Sequence, residues 1–463
     1  MLHTKAPHIE EIAGEALQRA HLLGEPQCIS IVEHIDDMDA FQFFHTGEAV
    51  DLHRTFWQSA DNDLTMVGIG RASQLYAERT DRFQEVQRLW QKLMDNAVVY
   101  DDYQKKGTGL AALGGFSFDP GEADERLWES FPDSQMTIPA FLLTKVDGAS
   151  YLTMNVLIFP EDHLKQMVHQ LLEQRETLLK SDTFEPLFPV VTSRKEIAPA
   201  QWKETVKKAT EDIRHGKISK VVLARELRLK FQDAVQAASV IKELADSQPN
   251  SYIFAFESQG DYFVGATPER LAKLENRRLV STCLAGTIPR GATSEEDEAL
   301  GLELLNDSKN RQEHQFVVDM IKEAVEACSS AVSIPDAPVL YPLKNLQHLY
   351  TPVTAVLDEG YTLLDVVEKL HPTPALGGMP QQEAVYYIRQ YEQLNRGWYA
   401  GPVGWFDAKN NGEFAVAIRS ALIQQDKASL FAGCGVVEDS DPQAEYEETA
   451  VKLKPMLTVL GGL

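Results

Sequence analysis

The chain has 463 residues, 44% hydrophobic and 24% charged, the balance of an ordinary folded protein and not of a fibrous or disordered one. Asp and Glu outnumber Lys and Arg by 69 to 44, and the net charge of −25 repels nucleic-acid phosphates and anionic membrane surfaces. No run reaches the ~18 apolar residues that cross a bilayer, and the N-terminus lacks an apolar secretory core, so a cytoplasmic protein with neither nucleic-acid nor membrane partner is expected.

In chain order, residues 7–23 read as an amphipathic helix, Thr65–Ile69 as a strand and Ala77–Asn96 as largely helical. The run 110–118, with Gly114-Gly115 inside it, reads as a tight connection between strands. Phe141–Thr144 and Tyr151–Phe159 form an expected antiparallel pair joined through Asp147-Gly148, and His163–Lys180 a polar helix. Three prolines and mixed charge without periodicity make 181–200 the best boundary. It divides an N-terminal part (1–190) from a region richer in signal (195–459).

There, Gln201–His215 is a helix ended by Gly216, Ile218–Leu229 a strong strand and Asp233–Ala245 a helix. Tyr252–Glu257 and Tyr262–Ala266 follow as strands. Helices and strands mix without a regular βαβ beat, which predicts a mixed α/β (α+β) fold with large antiparallel sheets. Neither a dinucleotide-binding glycine motif after a strand nor a phosphate-binding P-loop occurs. The four cysteines, Cys28, Cys283, Cys328 and Cys434, are far apart in sequence and expected as buried thiols.

Several residues stand out against this background. Lys220 opens the apolar run KVVLARELRL, as an edge-strand gatekeeper or as a functional amine. Glu269, in Thr267-Pro-Glu269-Arg270, ends a strand, where either an acid catalyst or a surface turn fits. Leu304–Cys328 reads as one helix with Glu313 toward its packed side and Lys309 as an available partner. The loop His371-Pro-Thr-Pro-Ala375-Leu-Gly-Gly378 is stiffened by its prolines. Arg419 lies in an otherwise apolar expected strand, Ala415–Ala421, and could take a carboxylate bidentately. Gly433 and Gly435, after the strand Ala428–Ala432, suit either a ligand close to backbone N–H groups or ordinary tight turns.

A last helix is capped by Ser440 or Asp441, with Pro442 in its first turn. Glu445 and Glu448 are i,i+3 neighbours on it, Lys452 lies one turn on, and Glu447 turns away. Adjacent like charges are unfavourable unless neutralised, and a hard cation such as Mg²⁺ would do so.

Eight segments together carry a resemblance: KVVLAR (220–225), TPER (267–270), LAGTIPR (284–290), EHQFVVD (313–319), HPTPALGG (371–378), RGWYAGPVGWFD (396–407), AIRSA (417–421) and GCGVVEDSDPQAEYEET (433–449). In this order they resemble the chorismate-utilising enzymes, which include isochorismate, salicylate, anthranilate and aminodeoxychorismate synthases. The resemblance implies a single layered sheet structure built by both halves, with 1–190 as the family's variable part. It implies Mg²⁺ held by Glu313 and Glu448, with Glu445 near it. Gly433, Gly435 and Lys452 would hold the ring carboxylate of chorismate, Arg419 its enolpyruvyl carboxylate, and Thr287, His371 and Ala375 would line the substrate.

Lys220 is similar to the water-activating base of the family's hydroxyl-adding members, and Glu269 to the acid that protonates the departing C4 hydroxyl. Ala285 stands where some amine-forming relatives place a lysine nucleophile, and Ala375 where amine-adding ones have threonine. The expected activity is therefore Mg²⁺-dependent, reversible conversion of chorismate to isochorismate, with menaquinone synthesis as the expected pathway and no obligate protein partner. The rivals are a salicylate synthase, a siderophore-pathway isochorismate synthase and a non-catalytic chorismate-binding subunit.

Overall fold

In the computed structural model, strands such as Ala111–Phe116, Ser134–Ile138, Pro402–Asp407 and Gly412–Val416 are buried at every position, so they need cover on both faces. The structure describes residues 9–50, 52–120, 127–180, 184–342 and 346–463. Among these, the strands form a sheet of 13 and a sheet of 10, antiparallel except where Gln27–Ile35 runs parallel to Ala97–Tyr100.

Alternation along the larger sheet's strands builds two cores. Trp57, Phe254, Phe256 and Phe263 point between the sheets, where they join Leu113, Trp398 and Trp405 from the smaller-sheet side. Their neighbours Phe56, Ile253, Ala255 and Val264 point outward with helix residues Phe43, Phe44, Ile241 and Leu453. Strands from the two parts of the sequence are interleaved. Arg54–Gln58 pairs with Tyr252–Ser258 in the larger sheet, and Ala111–Phe116 with Pro402–Asp407 in the smaller.

The expected hairpin at 141–158 is present, its strands Phe141–Val146 and Ala149–Ile158 joined by Asp147 (φ 54°) and Gly148 (φ 74°). Two left-handed residues in a two-residue loop match the twist of the flanking strands. Gly114-Gly115 was expected in a connection but lies inside the strand Ala111–Phe116. A Cβ on Gly114 would stand 1.8 Å from Gln135 O, so the neighbouring strand requires its absence. The expected helix at 77–96 is confined to Arg82–Asp95, after a strand Ser73–Ala77. Inside the expected boundary, Val191–Glu196 is an exposed edge strand against Lys220–Phe231. Its charged, solvent-facing residues leave no apolar period to read.

The expected single helix from Leu304 is two, Ser294–Asn306 and Ser308–Glu326, divided at Asp307, whose carboxylate accepts from Asn310 N at 2.7 Å. The apolar segment around Arg419 is also broken. Gly412–Val416 belongs to the smaller sheet and Ser420–Gln424 to the larger, and Arg419 lies in the crossover with φ 52°. A second crossover is made at Pro268-Glu269, between Asp261–Thr267 of the larger sheet and Arg270–Glu275 of the smaller. The crossovers are bonded to one another, Val416 N to Glu269 O at 3.0 Å and Ala266 N to Arg419 O at 3.1 Å.

Candidate active site

The seam between the sheets is where the chemistry-bearing side chains meet. Solvent reaches part of the Glu269 side chain, yet protein surrounds it closely enough that burial pushes its carboxyl up to about 7. Arg419, Lys452 and Lys220 oppose that shift, and thereby mark themselves as its charged neighbours. Burial likewise lowers the Arg419 guanidinium, against the attraction of Tyr399, Glu269 and Glu448.

Lys220 is buried at the start of the strand Lys220–Phe231, and its Nζ donates to Glu313. Glu313 therefore does not use Lys309, the partner its own helix offers. Gly435 explains how the lysine fits, because a Cβ there would lie 2.9 Å from Lys220 Cε. Both Gly433 and Gly435 sit within the strand Lys427–Val436, not in a turn. A Cβ on Gly433 would meet the Tyr399 hydroxyl at 3.3 Å. Gly435 thus leaves room for the lysine, and Gly433 for the tyrosine hydroxyl.

The helix Pro442–Val459 begins as expected, with Asp441 accepting from Gln443 N and Ala444 N and Pro442 in the first turn. Lys452 Nζ bridges Glu448 Oε1 at 2.6 Å and Gly433 O at 3.0 Å. Burial raises the Glu445 carboxyl and the adjacent Glu448 adds to the rise, while bonds to Ser440 and Cys434 oppose it. Glu447 is exposed. Arg225 ties this helix to the lysine's strand, with Nε donating to Thr449 Oγ1 at 2.7 Å and its guanidinium 4.0 Å from the Tyr446 ring centroid.

Thr287 follows a bulge at Gly286, and its hydroxyl meets His348 Nδ1 at 2.9 Å. Burial, with Arg419 and Lys452 nearby, pushes His348 down to about 4, so it is neutral at neutral pH. Ala375 is half-buried in the loop that lies against the start of the lysine's strand, where Val222 N donates to Gly377 O at 2.9 Å. His371 is held differently. It ends a helix, its Nε2 meets Phe118 O at 2.8 Å, and its charged neighbours are Arg82, Asp119 and Arg396.

The sequence reading missed His348 and Tyr399. A single histidine in a strand and a tyrosine in an aromatic-rich loop carry no periodic signal; only the fold sets them beside Arg419 and Gly433. A cavity of about 460 Å³ lies elsewhere, around Arg71, Trp128 and Asp133, and holds none of these groups. A smaller opening of about 60 Å³, lined by Ala266, Pro268, Arg419 and Lys452, reaches the seam.

A protein-family model described as chorismate binding enzyme matches residues 15–461. The chain belongs to this family. It is 42% identical over 453 residues to isochorismate synthase MenF of Bacillus subtilis (strain 168), covering 96% of both chains. It is 35% identical over 459 residues to the salicylate biosynthesis isochorismate synthase of Pseudomonas aeruginosa, covering 97% of this chain and 94% of the relative. The solved structure of MenF, the menaquinone-specific isochorismate synthase from Escherichia coli, superposes with a TM-score of 0.80 at 25% identity. That match covers 96% of this chain and 99% of the other. Among the described residues, no helix is long and apolar enough to cross a membrane, and the four cysteines are free and buried.

The magnesium expected from the sequence has a suitable donor set in Glu313, Glu445 and Glu448, three carboxylates of the hard-oxygen type that this ion takes. Among the described residues no three His, Cys, Asp or Glu side chains are gathered closely enough to enclose a metal. By donor chemistry each could be one of the one or two carboxylates through which this ion often binds, with water completing its shell, and in the structure Lys220 and Lys452 pair with the carboxylates of Glu313 and Glu448.

Proposed function

We propose that this chain is a magnesium-dependent isochorismate synthase serving menaquinone synthesis. The observation that carries the reading is the meeting of Glu269, a carboxyl that keeps its proton near neutral pH, with the amine of Lys220 in one seam. The close similarity to isochorismate synthases over nearly the whole chain supports it.

Chorismate is a dianion, and an acidic protein needs local cations to accept it. Lys452 and the backbone N–H groups at Gly433 and Gly435 take the ring carboxylate, and Arg419 takes the enolpyruvyl carboxylate. Thr287 and Ala375 line the ring, while His371 acts through the loop it anchors. Magnesium, when bound, would be held by Glu313 and Glu448 with Glu445 nearby, and would supply charge neutralisation and orientation at the ring carboxylate.

The Lys220 amine, buried at the start of its strand, takes a proton from water. That water adds to C2, the double bonds of the ring shift, and the C4 hydroxyl departs with the proton of Glu269 as a second water. Acid and base must hold opposite protonation states at one pH, and the burial of Glu269 provides for this. Addition and loss of water balance, so the reaction is a reversible isomerisation without redox change.

Purified enzyme, chorismate and Mg²⁺ are expected to give isochorismate by chromatography. Salicylate fluorescence without added lyase would replace this reading with a salicylate synthase. Chorismate binding without turnover would replace it with a binding subunit.

A further inference from the structure

Arg270 follows Glu269 directly but is engaged on other groups. Its Nε donates to Glu413 Oε1 at 2.8 Å and to the Tyr252 hydroxyl at 2.7 Å, and Tyr252 donates to the same Glu413 oxygen at 2.8 Å. Asp61 stands 3.7 Å from Arg270 at the rim. The Glu413 side chain is 1% exposed. A buried ion pair gives little stability over a well-packed apolar pair, so its presence calls for another reason.

The three residues come from three strands that meet at the seam. Tyr252 opens the larger-sheet strand that pairs with Asp261–Thr267, opposite Thr267, just before the Glu269 crossover. Arg270 begins the strand after that crossover, paired with Ala415. Glu413 lies on the strand that leads into the Arg419 crossover. One guanidinium and one carboxylate thus fasten both crossovers.

We propose that Arg270, Glu413 and Tyr252 form a positioning clamp for Glu269, fixing where its carboxyl points and neutralising the cation next to it in the chain. This inference rests on the reading of Glu269 as the acid. The charged and titratable groups already facing Glu269 are Lys220 from its strand, Arg419 from the other crossover, Lys452 from the C-terminal helix and Cys283 from the strand Arg278–Pro289. Without Glu413, Arg270 would keep only the exposed Asp61 as a carboxylate partner, and its less compensated charge would favour the ionised carboxylate and remove the proton that the departing hydroxyl needs.

The test uses full-length wild type, Glu413→Gln and the double variant Glu413→Gln/Arg270→Gln, with kcat and KM for chorismate measured separately across pH and the melting temperature followed alongside. For Glu413→Gln we expect kcat to fall about tenfold or more with KM within about twofold, since the clamp touches no substrate. The alkaline limb of its kcat profile should move down by about one pH unit, and removing both charges in the double variant should return it. Tyr252→Phe, which deletes one hydroxyl, should lower kcat less at the same KM, and covers the case in which Glu413→Gln does not fold. Wild-type kcat and an unmoved limb in Glu413→Gln, or unchanged kcat in Tyr252→Phe, would overturn the clamp. A wild type that makes no isochorismate would instead overturn the assignment of the site, and the clamp with it.

Discussion

Glu269→Gln should slow the protein severely and, above neutral pH, make it more stable than wild type. Burial holds the Glu269 carboxyl at about 7 against an ordinary 4.5. That gap corresponds to about 3 kcal/mol between its two protonation states, at about 1.36 kcal/mol per pH unit. The folded chain binds this proton more tightly than the unfolded chain. The contribution to stability is therefore complete below about pH 4.5 and is lost as pH rises through about 7. Glutamine cannot ionise and escapes the loss. Urea unfolding of metal-free wild type and variant should show a difference of about 1 kcal/mol or less at pH 5, growing to about 3 kcal/mol in favour of the variant at pH 9. Turnover of the same variant should drop by about 10²–10⁴, the usual share of a positioned acid. A difference in stability that does not change between pH 5 and pH 9 would show that Glu269 is not held protonated by the fold, and the assignment of the acid would fail with it.

Lys220→Ala should keep the wild-type circular dichroism and chorismate binding but lose nearly all isochorismate formation; surviving turnover would remove it as the base. Gly435→Ala places a methyl group 2.9 Å from Lys220 Cε, and the flexible lysine, not the strand, should give way. The melting temperature should hardly move while kcat falls about tenfold or more, as a displaced reacting group requires. Glu448→Gln should raise the Mg²⁺ concentration needed for half-maximal turnover, by about 10–100-fold if it is a direct ligand. It should also weaken Mg²⁺ binding measured by calorimetry without substrate.

Much of the fold was legible where side chains obey a local rule. The Asp147-Gly148 hairpin follows from two residues that tolerate positive φ, and the C-terminal helix from Asp441 and Pro442 at its start. Gly433 and Gly435 were readable as positions needing room, though not as parts of a strand, because what crowds them comes from elsewhere in the chain: Lys220 at Gly435, Tyr399 and the neighbouring strand at Gly433. Gly114 and Gly115 suggested a break for the same reason: a missing Cβ looks alike in a turn and beside a neighbouring backbone. Arg419 suggested a strand because both sides of it are apolar. Those sides belong to different sheets, which a run of apolar residues cannot reveal. Glu269, Lys220, Arg419, Glu313, Glu445, Glu448 and Lys452 could be nominated from motif order, whereas the Lys220–Glu313 and Lys452–Glu448 pairs could not. Lysine is long enough to choose among several carboxylates, and only the packed backbone decides between them.

A seam between sheets suits this chemistry for a physical reason. A strand inside either sheet spends its backbone groups on its neighbours and turns its side chains to a core or a helix layer. At a crossover the ladder stops, and Arg419 adopts a left-handed φ that a regular strand would not allow. Its side chain can then leave the strand alternation and face Glu269, whose own ladder has also just ended. The two crossovers hold one another through backbone bonds, so the irregular geometry is fixed on both sides instead of being left to a mobile loop. Rigid sheets on either side then surround Glu269 closely with protein, which is the condition for one carboxyl to stay protonated beside three cations in a protein whose net charge is −25.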